Sequence, residues 1–273
     1  MSTIAAAPHA AASPTVRTSA ARGGARTLAI TSGKGGVGKT FVSANLAAAL
    51  AARGQRVLVL DADLGLANLD VVLNLHPKLT LHDVFTGKAT LDQAILPAPG
   101  GFSVLLAGSG MVEYSRLTPE IRDKLLQIVE LVRPRFDWVL LDTGAGISDV
   151  VLFSISMASD VLVVATPEPT SLTDAYATIK VLATQQERRR IGLVLNQANR
   201  PGEGKLICGQ LQQVLQRFVG AAPGQAFKLE LLGEVKVDAL VRQAVLKRQL
   251  VLEHFPGSEA AQGVKALAHK LLG

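Results

Sequence analysis

A glycine-rich stretch, GKGGVGKT, occupies Gly33–Thr40 and has the spacing G-x-x-x-x-G-K-[ST]. Glycines at this spacing let the backbone curl, so that several N–H groups point at phosphate oxygens. Lys39 would supply a point charge to the β and γ phosphates of a nucleotide, and the Thr40 hydroxyl would bind Mg²⁺. The stretch predicts a nucleoside triphosphate site; the alternative is a glycine-rich turn without a ligand.

Three carboxylates at the ends of apolar stretches would complete this chemistry. Asp142 ends WVLLD, and Asp61 ends VLVLD with Asp63 two residues later. Carboxylates at the carboxyl ends of parallel strands converge on one crevice. We expect Mg²⁺ to be held by Thr40, Asp142 and, through water, Asp61. Asp63 would orient the attacking water. Ordinary capping of strand ends is the alternative for Asp61 and Asp63.

The hydrophobic pattern from Thr27 onward alternates between strands and helices, as the site requires. Apolar runs typical of parallel strands buried on both faces are predicted at Thr27–Thr31, Arg56–Asp61, Phe102–Ala107, Phe136–Asp142, Asp160–Thr166, Ile191–Asn196 and Phe227–Leu232. Helices are predicted at Thr40–Arg53, Pro119–Val132, Ser148–Ala158, Ser171–Thr184, Lys205–Val219, Val237–Lys247 and Ser258–Leu272. This alternation predicts an α/β fold with a doubly wound, mostly parallel sheet flanked by helices.

Composition separates the N-terminal residues from the rest of the chain. Residues 1–26 consist largely of Ala, Ser, Thr, Pro, Gly and Arg, and have few large apolar groups to bury. They predict a disordered tail. Residues 27–273 are predicted to form one domain, since neither an internal repeat nor a second composition shift interrupts them.

The composition of the whole chain excludes several classes of protein. Hydrophobic residues make up 48% of it, but no apolar run is long enough to cross a bilayer. Cys208 is the one cysteine, so neither an internal disulfide nor a multi-cysteine metal site can form, and a reduced cytoplasmic compartment fits. We interpret Cys208 as a small apolar residue on a helix face.

The positive charge is unevenly distributed, although the net charge is +6. Seven cations precede the first acidic residue, Asp61: Arg17, Arg22, Arg26, Lys34, Lys39, Arg53 and Arg56. The rest of the chain is near neutral, which argues against a global nucleic-acid-binding surface. The run Arg188–Arg190 is interpreted as a solvated loop rather than a DNA or lipid patch.

The segment KGGVGKT resembles the deviant Walker A motif of the MinD/ParA family of P-loop ATPases, and the resemblance extends over nearly all of Thr27–Leu272. It implies a MinD-like ATPase domain with ATP and Mg²⁺ as cofactors, slow regulatory hydrolysis and an ATP-bound homodimer. In that family the early lysine, here Lys34, reaches the phosphates of the partner's ATP. Nucleotide contacts are implied for Gly33, Lys34, Gly35, Gly36, Val37, Gly38, Lys39, Thr40, Phe41 and Asn196.

Other segments are similar to the FlhG (FleN) branch of this family, the regulators of flagellar number and placement. The segments are DTGAGIS at Asp142–Ser148 and TPEPTSLTDAYATIK at Thr166–Lys180. Phe41 replaces a Thr or Ser common in ParA and MinD proteins and loses a hydroxyl contact to the α phosphate, although its N–H remains. LNQAN at Leu195–Asn199 resembles the base-recognition loop, so Asn196 would bind adenine; a strand-end turn is the alternative.

Two departures from the branch concern its partners, an FlhF-type GTPase or a C-ring component. Residues 1–26 lack the D-Q-A-x-x-L-R element thought to stimulate FlhF. Ser258–Leu272 is amphipathic, but we favour a helix packed on the domain over one that binds the inner face of the cell membrane. The membrane surface is left open as a partner.

Competing functions within the superfamily are weighed on the same residues. A ParA-type DNA-segregating ATPase would need clustered cations on late helices; Lys236, Arg242, Lys247 and Arg248 form only a modest set, so specific nucleic acid is not expected. A MinD-type division-site regulator stays open. An iron–sulfur carrier would need at least two ligating cysteines per chain.

Overall fold

The computed structural model describes residues 24–64, 68–108, 117–219 and 226–273. Its strands are β1 Arg26–Ser32, β2 Val57–Ala62, β3 Ile95–Pro97, β4 Ser103–Leu105, β5 Trp138–Ala145, β6 Asp160–Ala165, β7 Arg190–Ala198 and β8 Lys228–Lys236. Its helices are α1 Lys39–Ala51, α2 Leu69–Leu73, α3 Leu81–Phe85, α4 Leu91–Ala94, α5 Pro119–Val132, α6 Asp149–Ser156, α7 Pro169–Gln185, α8 Glu203–Phe218, α9 Ala239–Leu246, α10 Val251–His254 and α11 Glu259–Leu272.

The strands form one sheet, which within the described ranges has the order β3-β4-β2-β5-β1-β6-β7-β8. All neighbours in it are parallel except β3 and β4, which pair antiparallel. Both faces are buried: Leu28 and Ile30 of β1 enter one apolar cluster, and Ala29 between them enters the other. The predicted doubly wound, mostly parallel α/β fold is therefore confirmed.

The helix α1 lies close to the sheet because its residues are small. It is buried continuously from Val42 to Leu50, and four of these residues are alanines. Such a helix has no polar face for solvent, so it is covered by α11 on its other side, which buries Val264 and Leu267 in the same cluster. The strand–loop–helix unit that carries the glycine-rich stretch therefore sits at the centre of the domain.

The helix α11 is packed on the domain, as we favoured from sequence. Its apolar face, which includes Val264, Leu267 and Leu271, is buried. Arg26 of β1 stacks on Trp138 at 4.4 Å and donates a hydrogen bond to the Leu271 carbonyl at 2.9 Å, which fixes the end of the helix. That apolar face is not free to contact a membrane. None of the helices within the described residues is both long enough and apolar enough to span a bilayer.

Some boundaries differ from the predicted ones. Ala25 is buried and donates its N–H to the Arg133 carbonyl, so packed structure begins before Thr27; residues 1–23 of the predicted tail lie outside the described residues. The strand β8 continues past Leu232 to Lys236 because a register shift keeps Gly233 and Glu234 paired with β7. The short elements α2, α3, α4, α10 and β3 were missed, since three to five residues show no clear periodicity.

The interpretation of Arg188–Arg190 as a solvated loop is wrong for Arg188, which is half-buried; Arg190 is exposed but begins β7. Arg188 donates hydrogen bonds to the carbonyls of Ile155 and Ala158, at the C-terminal end of α6. The Ile155 carbonyl also accepts the Ala158 N–H, and the guanidinium caps the chain where it leaves α6. Arg190 forms a double hydrogen bond with Glu230 on the neighbouring strand. Cys208 is buried on α8, as predicted.

Candidate nucleotide site

The glycine-rich stretch forms the turn between β1 and α1. Gly36 and Gly38 have φ values of 80° and 91°, in the left-handed region that favours glycine, and α1 begins directly after Gly38. A Cβ on Gly33 would lie 2.2 Å from the backbone of Asp174 in α7, so only glycine allows this approach. Beside Gly35 and Gly36, by contrast, an added Cβ would meet no atom within 4 Å. The turn therefore combines a tightly packed base with an open side where phosphates would fit.

Asn196, at the end of β7, lies beneath this turn. It is buried, and its Nδ2 donates a hydrogen bond to the Val37 carbonyl at 2.8 Å. A Cβ on Gly38 would lie 2.4 Å from the same Nδ2. Val37 itself is buried in the core. Asn196 thus fixes the backbone of the turn, a contact the sequence did not predict; its recognition of adenine stays a prediction.

Asp61 and Asp142 are brought together by the sheet. They are register partners in the β2–β5 pairing, and both are buried. Ser43 donates its hydroxyl to Oδ1 of Asp142 at 2.8 Å, and Thr40 lies close enough to lower the pKa of Asp142. Ser43 was missed from sequence, although it lies three residues after Thr40 and therefore on the same face of α1.

Burial shifts the pKa values of these groups. It raises the pKa of Asp142 to about 6, against the hydrogen bonds from Ser43 and Thr40 that lower it. It raises the pKa of Asp61 well above its usual range, and the neighbouring Asp142 adds to the effect. Burial also lowers the pKa of Lys39, although the charges of Asp142 and Asp63 oppose this. A bound cation reduces the electrostatic repulsion between carboxylates spaced this closely.

The residues present fit a Mg²⁺ ion. Oδ2 of Asp61 is buried and has no hydrogen-bond partner, while its Oδ1 accepts the Asp63 N–H at 3.2 Å. A buried carboxylate oxygen left in this state indicates a missing ligand, either a metal or its bound water. Thr40 and Asp142, which are close enough for Thr40 to affect the pKa of Asp142, provide the hydroxyl and carboxylate oxygens that Mg²⁺ prefers.

Asp63 lies just past the end of β2, half-buried. A Cβ added to Gly144 of β5 would lie 3.5 Å from Oδ1 of Asp63. The Asp63 carboxylate therefore lies beside the end of the neighbouring strand. It is close enough to both Lys39 and Asp142 to affect their pKa values. Asp63 is therefore part of the same cluster as the other two carboxylates, although its role toward water stays a prediction.

Lys34 does not join Lys39 within this site. Its Nζ donates to Oε2 of Glu168 at 2.8 Å and to the Thr170 hydroxyl at 2.9 Å, both at the start of α7. Its side chain is 31% exposed. Glu168 and Thr170 were not predicted as site residues; they lie in the TPEPT segment that resembles the FlhG branch.

Phe41 has a packing role that the sequence did not reveal. Its half-buried ring packs against a small cluster of Ala244, Val251 and Ala261, contributed by α9, α10 and α11. The side chain that replaces a hydroxyl therefore joins the start of α1 to the C-terminal helices. Contact between its backbone N–H and a phosphate stays a prediction.

Comparisons with known proteins agree with this geometry. A ParA family model, described as NUBPL iron-transfer P-loop NTPase, matches residues 24–272. The chain is 43% identical over 244 residues to the antiactivator FleN of Pseudomonas aeruginosa, covering 89% of this chain and 85% of that protein. It is 31% identical over 252 residues to the flagellum site-determining protein YlxH of Helicobacter pylori, covering 92% and 83%.

A solved structure supports the same assignment. The septum site-determining protein MinD of Pyrococcus horikoshii, complexed with Mg-ADP, matches with a TM-score of 0.72 at 28% identity, covering 90% of this chain and 96% of that one. The predicted resemblance to the MinD/ParA family and its FlhG (FleN) branch is confirmed. The Mg-ADP bound to the similar MinD structure supports the prediction that this fold uses a nucleotide and Mg²⁺. The chain therefore belongs to the ParA/MinD family of P-loop ATPases.

Proposed function

We propose that this protein is an ATP-dependent dimerising switch of the FlhG type, which controls flagellar number and placement. The observation that carries the proposal is the similarity to FleN over 244 residues, 89% of this chain. The similarity to YlxH, a flagellum site-determining protein, points to the same process. The useful output of such a switch is a change of state rather than a product.

The chain's own residues suggest how ATP would be bound and cleaved. The turn Gly33–Thr40 and Lys39 would hold the phosphates, with Asn196 keeping the turn in place. Thr40 and Asp142, with Asp61 through water, would hold Mg²⁺, which when bound neutralises charge on the phosphates. Asp63 would orient the attacking water at the γ phosphate.

Lys34 supports a step that depends on a second subunit. It is partly exposed and held by Glu168 and Thr170, outside the cluster that contains Lys39. In an ATP-bound dimer it would leave these partners and stabilise charge at the partner's phosphates, as an arginine finger does. Hydrolysis would remove that contact and return the monomer.

The partners proposed for the dimer are flagellar assembly proteins, either an FlhF-type GTPase or a C-ring component. Because FleN is an antiactivator, an activator protein is a further class of partner. The iron-transfer description of the family model does not extend to this chain as an iron–sulfur carrier, because Cys208 is its one cysteine and is buried.

The experiment that tests the function is electron microscopy of a deletion strain, with flagella counted per cell and their positions recorded. Complementation would use the wild type, Lys39→Ala and a matched surface control, Arg189→Gln. We expect excess or misplaced flagella, restored by the wild type and the control but not by Lys39→Ala. Normal flagella with faulty plasmid retention or division placement would overturn the flagellar role and favour a ParA-type or MinD-type regulator.

A further inference from the structure

A second cleft lies at the end of α1 that is remote from the nucleotide site, and we call it the α1 cleft. Its volume is about 310 Å³, within the range of small-molecule sites. The helix begins at Lys39 and reaches the cleft at its last residues, including Ala52. At about 1.5 Å of rise per residue, Ala52 lies roughly 20 Å from Lys39 along the helix. A ligand in the α1 cleft would therefore be separate from the nucleotide.

The α1 cleft exists because small residues leave space between the elements around it. Ala48 and Ala49 of α1 line it and are buried. Gly100, in the turn between β3 and β4, closes one side, since a Cβ added to it would lie 2.6 Å from the Cβ of Ala48. Leu252 of α10 is half-buried and adds another wall. These walls are aliphatic, so they would accept an aliphatic part of a ligand.

Two cations line the same cleft, Arg53 just after α1 and Lys265 of α11. Arg53 donates hydrogen bonds to the carbonyls of Ala49 at 3.0 Å and Lys265 at 3.1 Å. The Nζ of Lys265 donates to the Pro256 carbonyl at 2.7 Å. Neither cation forms an ion pair with a carboxylate in the described part of the chain. Neutral carbonyls thus hold both side chains in place without cancelling their charge.

These cations keep donors for a ligand. The bonds above use two of the five N–H groups of Arg53 and one of the three of Lys265. A guanidinium presents its N–H groups in a plane that matches the two oxygens of a carboxylate. The two side chains therefore suit a carboxylate at the polar end of a molecule whose other end is aliphatic.

The charge of the lining limits the charge of the ligand. Glu253 of α10 is the one carboxylate among the described residues that line the cleft, so the two cations leave a net charge of +1. One carboxylate would balance this charge, whereas a phosphate ester, with about two negative charges, would leave an excess beside Glu253. Across the described residues, no group of three or more His, Cys, Asp or Glu side chains could hold a metal ion.

We propose that the α1 cleft binds a small aliphatic carboxylate. Its carboxylate would accept hydrogen bonds from Arg53 and Lys265, and its aliphatic part would lie against the alanines of α1 and Leu252. A free aliphatic amino acid and a simple carboxylic acid share this chemistry. In the amino acid, the ammonium group would also pair with Glu253.

A bound carboxylate would join α1, α10 and α11 at the cleft. The same helices already meet nearby, where Leu252 donates its N–H to Oδ1 of Asn45 in α1 at 3.3 Å. A ligand that binds only the folded chain raises its stability. Binding should therefore raise the unfolding temperature, and the increase should grow with ligand concentration.

The experiment is isothermal titration calorimetry of the full chain, without nucleotide, supported by thermal unfolding. The probes are 4-methylpentanoate, L-leucine and the neutral 4-methylpentanamide, which share one aliphatic skeleton. We expect saturable binding of at least one of the two carboxylates, with the amide bound about tenfold more weakly because it lacks the charge.

Variants of the cleft test its residues. Arg53→Gln and Lys265→Gln should each weaken carboxylate binding about tenfold. Ala52→Leu adds a larger side chain at an exposed position of the lining and should weaken binding as much without removing a charge. The controls are Arg189→Gln and Ala177→Leu, both at exposed positions elsewhere. They should bind the probes like the wild type, and circular dichroism should show all variants folded.

Glu253→Gln separates the two sources of the carboxylate. For an amino acid, L-leucine should bind more tightly than 4-methylpentanoate and lose about tenfold in this variant. For a simple carboxylic acid, 4-methylpentanoate should bind more tightly and gain affinity in the same variant, because a nearby negative charge is removed.

The proposal is wrong if neither carboxylate shows saturable binding, if the amide binds as tightly as the carboxylates, or if the cleft variants and the controls lose affinity equally. It does not depend on the flagellar role. The titration needs neither ATP nor a flagellated cell, so the two proposals can fail separately.

Discussion

Two side chains outside the glycine-rich stretch position parts of the nucleotide site. Asn196 donates to the Val37 carbonyl from below, and Ser43 donates to Asp142 from the first turns of α1. Both contacts are buried, where a lost hydrogen bond leaves a polar atom without water. Positioning of the turn and of the metal-binding carboxylate therefore depends on one buried side-chain hydrogen bond to each.

Asn196→Ala tests whether this residue positions the turn or recognises the base. We expect the variant to bind both ATP and inorganic tripolyphosphate more weakly, by about tenfold, because the turn that both ligands share loses its support. Isothermal titration calorimetry with each ligand measures this. Loss of ATP affinity with unchanged tripolyphosphate affinity would assign Asn196 to adenine instead.

Ser43→Ala removes the hydroxyl that orients Asp142. We expect nucleotide affinity to fall about tenfold with Mg²⁺ present but to change little in EDTA, since the phosphate contacts of the turn stay intact. A fluorescent nucleotide titration in both conditions checks it. The control is Ser156→Ala, which removes a hydrogen bond donated by the hydroxyl of an exposed residue in α6. Equal losses with and without Mg²⁺ would contradict the role.

At the scale of elements, the C-terminal helices and the central helix are tied together. Oδ1 of Asn45 in α1 accepts the N–H of Leu252 in α10 at 3.3 Å, and Phe41 packs on the same region. Arg26 ties β1 to the end of α11. These contacts join β1, the start of α1 and the helices α9, α10 and α11 into one unit.

At the edge of the sheet, Glu230 of β8 forms ion pairs with Arg190, Lys228 and Lys270. The pKa of Glu230 lies below its usual value, chiefly because Arg190 donates a hydrogen bond to it. The positive charges of Arg190, Lys228 and Lys270 lower this pKa further. A carboxylate with a lowered folded pKa contributes stability above its unfolded pKa, and this is lost as pH falls through the folded pKa.

Glu230→Gln should therefore lower the free energy of unfolding at pH 7 by about 0.5–1 kcal/mol, a small value because Arg190 is exposed. The difference should shrink as the pH falls through the lowered pKa of Glu230, because the wild-type carboxyl then also becomes neutral. Urea unfolding over this pH range measures it. A difference that stays constant with pH would show that the charge of Glu230 is not its cause.

At the scale of the whole molecule, Lys34 has two competing sets of partners. Within one chain it is bound by Glu168 and Thr170, and the bond to Lys34 lowers the pKa of Glu168. In the proposed dimer it would exchange these contacts for the phosphates of the partner's ATP. The exposed contact within the chain contributes little, so the exchange is open to control by nucleotide.

Lys34→Ala should bind ATP with near wild-type affinity but fail to form the ATP-dependent dimer, because Lys39 and the turn stay in place. Light scattering with ATP and Mg²⁺ measures the dimer, and nucleotide titration measures the affinity. Lys39→Ala, which should lose nucleotide binding, separates the two lysines. An ordinary ATP-dependent dimer in Lys34→Ala would remove Lys34 from its proposed role.

The sequence by itself determined the parts of this protein that are contiguous along the chain. The strand β1, the turn Gly33–Thr40 and α1 follow one another directly, and their spacing carries the phosphate chemistry. The Val- and Leu-rich strands predicted a parallel sheet, and parallel strands bring Asp61 and Asp142 to the same edge. Local spacing and strand direction are enough for these conclusions.

The tertiary structure alone decided the contacts between residues distant in sequence. Ser43 meets Asp142, Lys34 meets Glu168 and Asn196 meets Val37 across 99, 134 and 159 positions. Periodicity showed that α11 has an apolar face, but not that β8 and α1 cover it while α9 stays exposed. The reason is physical: hydrophobic periodicity reports which face of an element prefers burial, whereas packing of the complete chain selects what lies against it.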